Sequence, residues 1–249
     1  ERRRVDLGSF PGICADVAVS DKNTGNPIAG LDSSDFVLYQ DGKALPFQVT
    51  SVNGMGAVSV VLVVDESGSM MAGNRLPGAR QSLIEFIEGM SPSERISIVG
   101  FGNDVGVRQP MTSDRELLLE AARNIYASGN TFINEGTLLG LDQLVDEPYK
   151  RVAIIFLDGI GAGSTPTPTV IDRAIEVGAT IYSIGIEDAG RDTYPLKDLA
   201  EATGGTYTYA PTSDMLGGIY SSIRSEITSS QYTICYQSPD TIMNGDTHE

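Results

Sequence analysis

The stretch VVLVVDESGSMMAGNR, residues 60–75, decides how the chain is read. Val60 to Val64 extend an apolar run from Val58, a composition suited to a strand covered on both faces of a parallel sheet. The run ends in Asp65, and Ser67 and Ser69 follow at alternate positions with Gly68 between the two hydroxyls. Two readings compete. In one, the polar cluster is a turn and a helix N-cap, the routine use of Ser and Asp. In the other, a carboxylate and two hydroxyls stand at a strand's carboxyl end, where open α/β sheets bind ligands.

Working outward, strand-like runs at 58–65, 95–101, 151–157, 180–186 and 206–210 alternate with helical patterns. Leu76, Leu83, Ile84, Ile87 and Met90 recur at helical spacing, as do Leu117, Leu118, Ala121, Ala122 and Ile125. Further helices are predicted over 135–145, 168–177, 195–202 and 214–230. VGVRQP, residues 105–110, has no crossover helix of its own and is expected antiparallel at an edge. The alternation predicts a doubly wound, mostly parallel α/β sheet with one antiparallel edge strand. Two more loops should reach the edge that carries Asp65. One is ASGNTFINEG, residues 127–136; the other ends the run VAIIFLDGIGAG, residues 152–163, where an apolar strand again stops at an acid, Asp158, followed by Gly159.

This set of segments resembles the von Willebrand factor A domain family, the integrin I-domain-like fold, over about residues 57–230. The family's signature is Asp-x-Ser-x-Ser at a strand end, a Thr after a Gly-rich turn, and a later strand-end Asp. Those positions match Asp65, Ser67, Ser69, Thr131 and Asp158. The resemblance implies a metal-ion-dependent adhesion site holding magnesium, with calcium or manganese as alternatives, and a protein partner that presents an Asp or Glu. It also implies a final helix, residues 214–230, that can move on ligand binding. Asn130 stands where a second glycine is frequent, and Leu157 replaces a common Thr; neither change removes a ligand atom. Thr137 competes for the Thr role, but Thr131 leaves a full helix after it, as the family does. The chemistry is coherent apart from the name. Two acids and three hydroxyls are hard oxygen donors of low total charge, so a bound dication stays electrophilic toward an added carboxylate.

Residues 1–55 have the marks of antiparallel β structure, including ADVAVSD, a turn over DKNTGNP (21–27), and Asp41-Gly42 between two strand-like runs. The segment DKNTGNPIAGLDSSDFVLYQDGKALPFQVTSV, residues 21–52, is similar to small Ig-like β units that precede such domains in bacterial surface or secreted proteins. QYTICYQSPD, from residue 231, alternates in the same way. The expected organisation is therefore a small β-sandwich built from 1–55 and 231–249, with the α/β domain, 56–230, inserted in it. Cys14 and Cys235 lie in the two terminal strand-like stretches. They are read either as buried thiols or, preferably, as a disulfide joining adjacent strands, which implies an oxidising compartment.

The bulk numbers narrow the function. Seventeen Lys and Arg against 33 Asp and Glu give a net charge of -16, which argues against nucleic acid and suits cations. No apolar run approaches a membrane span. The chain begins at Glu1 without an export segment and reads as a mature or excised fragment, expected outside the cytoplasm. An enzyme is the weaker alternative. ESGSM is not a G-x-S-x-G elbow, no G-x-x-x-x-G-K loop is present, and the sole histidine, His248, is a tail residue. The sequence thus predicts a metal-dependent protein-binding module of adhesion or assembly. A scaffold with a merely stabilising metal, or a metal-dependent hydrolase, are the alternatives.

Overall fold

The computed structural model describes residues 2–19, 28, 31–52, 58–158, 164–186, 194–212, 215–228 and 231–239. The chain divides into two units, 1–56 with 228–249, and 57–227. The turn expected over 21–27, as well as Gly159 and His248, lies outside the described residues.

In the first unit, β1 (Arg2–Ser9), β2 (Gly12–Ala18), β5 (Phe47–Val52) and β12 (Gln231–Gln237) form an antiparallel sheet in the order β1-β2-β12-β5. The last strand thus runs between two N-terminal ones. Cys235 stands directly opposite Cys14 in this register, and the two form a disulfide. A separate two-stranded ladder joins β3 (Tyr39–Gln40) and β4 (Lys43–Ala44). Its Asp41-Gly42 turn has φ of 49° and 73°, the left-handed pair that a tight hairpin needs. Tyr232 ties the preceding segment to the sheet. Its hydroxyl accepts from Leu31 N and donates to Ile28 O, while its ring lies 5.2 Å from that of Phe36.

The second unit is a six-stranded sheet with helices on both faces. Its elements are β6 (Val58–Asp65), α1 (Arg75–Glu88), β7 (Arg95–Phe101), β8 (Val105–Thr112), α2 (Arg115–Arg123) and α3 (Ile133–Asp142). Beyond these come β9 (Lys150–Leu157), α4 (Thr167–Val177), β10 (Ala179–Ile186), α5 (Tyr194–Ala202), β11 (Tyr207–Ala210) and α6 (Leu216–Thr228). The strand order is β11-β10-β9-β6-β7-β8, parallel except for β8, which pairs antiparallel with β7 at the edge. Every residue of β6 is buried. Val60, Leu62 and Val64 pack with Leu83 and Phe86 of α1, Leu118 of α2 and Tyr220 of α6. Val61 and Val63 face the opposite way, toward Ile133 and Leu141 of α3 and Val170 of α4. A strand with period two and apolar residues on both faces accounts for the apolar run Val60–Val64.

Helix limits differ from the sequence reading by one to three residues, most at α3 and α6. α3 starts two residues early, because its first turn is fastened to the chain after β9. There Asn134 Nδ2 donates to Thr165 O, and Glu135 Oε1 accepts from the amides of Ser164 and Thr165. α6 is seen over Leu216–Thr228 rather than 214–230, of which 214, 229 and 230 lie outside the described residues.

Candidate metal centre

β6 and β9 are adjacent and in parallel register, with Val64 opposite Phe156, so Asp65 and Asp158 leave the sheet at neighbouring carboxyl ends. Both are buried, at 0% and 1% exposure. Asp65 Oδ1 accepts from Ser67 N at 2.7 Å, and its Oδ2 accepts from Asp158 N at 3.3 Å. Ser69 Oγ donates to Asp158 Oδ1 at 2.7 Å and lies 2.8 Å from Ser67 Oγ. A hydroxyl has one proton, so Ser67 donates to Ser69. Ser67 precedes a short 3-10 helix, Gly68–Met71, but its side chain makes no capping bond. Ser67 thus holds the N-cap position, as the first reading had it, but without the capping bond of its side chain. The hydroxyls of Ser67 and Ser69 point into a cluster with both acids.

The loop that carries Thr131 is tied to the same edge by a different route. Ser128 N donates to Glu66 O at 2.6 Å and Gly68 N to Gly129 O at 3.0 Å, stitching the loop before α3 to the end of β6. Gly129 has a φ of 80°, and a Cβ there would stand 2.5 Å from Asn103 Cα, so this position requires glycine. Thr131, half-buried, follows two residues later but does not join the hydrogen bonds among Asp65, Ser67, Ser69 and Asp158. Thr137 faces elsewhere. It is fully buried, and its hydroxyl donates to Ile133 O of its own helix.

Three charged residues that the sequence reading passed over frame the cluster. Arg75 Nη1 donates to Asp158 Oδ2 at 3.2 Å. Glu66 turns away from Asp65 and accepts from Arg108 Nη2 at 2.6 Å, while Arg108 also holds Asp104. Arg75 is the lone base in the 60–75 stretch, which was a usable signal. The Glu66–Arg108 pair had none, because 41 residues intervene between its members.

Burial, followed by the neighbouring charge of Asp158, pushes the Asp65 carboxyl up to about 7. Such a shift marks a carboxyl shut away from water, with a second acid beside it. Among the described residues no three His, Cys, Asp or Glu stand together, so a cation here would draw on hydroxyls as well. Two buried carboxylates with neutral hydroxyls beside them are a donor set that fits a hard divalent ion.

The model of the von Willebrand factor type A domain matches residues 59–222. The chain belongs to that family. Domains of the von Willebrand factor A family are in general protein-interaction modules rather than enzymes. The inter-alpha-trypsin inhibitor heavy chain H4 of Bos taurus is 28% identical over 130 residues, covering 47% of this chain and 14% of that protein. The chain spans less than half the length of each curated relative it matches. Among solved structures, a von Willebrand factor type A protein from Catenulispora acidiphila has a TM-score of 0.63 at 17% identity, covering 78% of this chain and 61% of that one. Proximal thread matrix protein 1 from the mussel byssus, whose MIDAS motif is occupied by zinc, has a TM-score of 0.62 at 17% identity, covering 76% and 49%. The pilus adhesin SpaC from Lactobacillus rhamnosus GG has a TM-score of 0.57 at 13% identity, covering 94% and 42%. At these identities the likeness is one of fold. No helix among the described residues is long and apolar enough to cross a membrane.

Proposed function

We propose that this von Willebrand factor A domain is a metal-dependent protein-binding module of adhesion or assembly that works outside the cytoplasm. The observation that carries the reading is the convergence of Asp65, Ser67, Ser69 and Asp158 at one sheet edge, with both acids buried and Ser69 exposed. These four, with Thr131 from the adjoining loop, would hold a divalent cation, magnesium first, calcium or manganese as alternatives. Bound there, the ion would supply an electrophilic position that an Asp or Glu oxygen of a partner can fill.

The chain's own residues prepare that position. Ser67 N and Asp158 N fix both oxygens of Asp65. The hydroxyls of Ser67 and Ser69 add oxygen without charge, which preserves attraction for an incoming carboxylate. The chain's net charge of -16 opposes an acidic partner at long range, where salt screens it, and so slows association without weakening contact. The disulfide supports an oxidising compartment.

A test needs no known partner. With manganese in place of magnesium, a short peptide bearing one Asp should lower the water-proton relaxation of the loaded protein by displacing a bound water. The same peptide with Asn should not. If manganese stabilises the fold but neither peptide displaces water, the metal is structural and the binding reading fails.

A further inference from the structure

Arg75 is the first residue of α1, and its side chain is 12% exposed where that of Asp158 is 1% exposed. One Asp158 oxygen takes the Ser69 hydroxyl, and the other takes Arg75 Nη1 at 3.2 Å. An oxygen available to a metal is therefore already paired with a guanidinium whose positive charge no accessible pH removes. The next base on α1, Arg80, is aimed elsewhere, at Ile125 O, and Arg108 is held by Glu66 and Asp104.

Asp65 and Asp158 bring two negative charges, and Arg75 returns one. A dication added without moving Arg75 would leave a net charge of plus one, with two like charges against one carboxylate in a buried setting where repulsion is strong. Arg75 stands at a helix entry, where Asn74 has non-helical φ/ψ and makes no side-chain cap. Its side chain can swing outward without breaking the helical hydrogen-bond ladder.

We infer that Arg75 is an internal counter-cation, paired with Asp158 in the metal-free protein and exchanged for the divalent ion, so that it sets the metal concentration at which the site fills. This rests on the metal-site reading above. It gives Arg75 a positioning role in the metal-free form, where it keeps Asp158 in place, and a competing role during loading.

The experiment is calorimetric titration of metal-stripped protein with magnesium and with manganese, for the native chain, Arg75→Met, Arg75→Gln and Arg75→Lys, with melting temperatures in chelator and in saturating metal. Arg75→Met and Arg75→Gln, which remove a like charge beside the ion, should bind either ion at least about tenfold more tightly than the native chain. Both should melt lower in chelator, and the deficit should close in saturating metal. Arg75→Lys, which keeps the charge, should stay near the native affinity. Native binding with no gain in either neutral variant overturns the inference and leaves the metal site standing. Absence of binding in all four chains overturns the metal site, and the inference with it.

Discussion

At the amino end of β6, Ser59 Oγ donates to Glu147 Oε2 at 2.7 Å, and Arg95 Nε lies 3.0 Å from the same oxygen. At its carboxyl end, Ser69 and Arg75 likewise converge on one acid, Asp158, but a second buried acid, Asp65, stands beside them. The parts are the same: an acid, a serine and an arginine. The arithmetic differs. One acid against one base closes on itself, whereas two acids against one base leave a negative surplus. The first end of the strand is tied off, and the second calls for a cation. Two buried acids against one base leave an imbalance at this edge that a proton on Asp65 or a bound cation would relieve.

The largest effect should separate the two ends directly. Asp65→Ala should lower magnesium binding below calorimetric detection while keeping the far-ultraviolet circular dichroism of the native chain. Glu147→Gln should leave metal affinity unchanged and cost about 1–2 kcal/mol of stability in urea unfolding. Loss of metal binding in Glu147→Gln would erase the distinction between the ends.

A second effect lies in pH. Asp65 titrates near 7 in the fold against an ordinary value of 3.8, so between these values the folded chain holds a proton that the unfolded chain has lost. Stability of the metal-free protein should therefore be greatest below pH 3.8 as far as this group is concerned, and should fall as pH rises toward 7, by about 4 kcal/mol at most. Saturating magnesium, which favours the ionised form, should flatten that slope. Urea midpoints across pH 4–8, in chelator and in magnesium, measure it. A slope that magnesium leaves intact would place the titrating acid away from the metal.

The smallest effect concerns the two threonines. Thr131→Ala should weaken magnesium binding by about tenfold. Thr137→Ala should not change it and should cost about 1 kcal/mol of stability through the lost bond to Ile133 O. The opposite pattern in titration would mean that the loop before α3 approaches the site in another register.

Much of this is legible in the amino-acid sequence itself. The apolar run of β6, the alternation of strands with helices, and the isolated VGVRQP run place every strand of the second unit within a residue or two. The edge position of β8 is legible too, because no crossover helix precedes it. The acids at the ends of β6 and β9 are readable because each terminates an apolar run, and parallel register brings such ends together. Helix limits are less readable. α3 begins at Ile133 because Asn134 and Glu135 bind a segment some thirty residues away, and periodicity contains no trace of that. Ser67 holds the N-cap position that local grounds give it, and only the tertiary position of Asp158 decides where the Ser69 proton goes. Arg75 stands in plain view only ten residues after Asp65. Its importance depends on the direction of one side chain, which composition does not encode.

The central claim is that a divalent cation belongs at the end of β6 where charge is unbalanced, and anomalous diffraction tests it most directly. Crystals soaked in manganese should yield one strong anomalous peak among Asp65, Ser67, Ser69, Thr131 and Asp158, with Arg75 turned away from Asp158 and no peak beside Glu147. An empty cluster at saturating manganese, with Arg75 still paired to Asp158, would contradict the account.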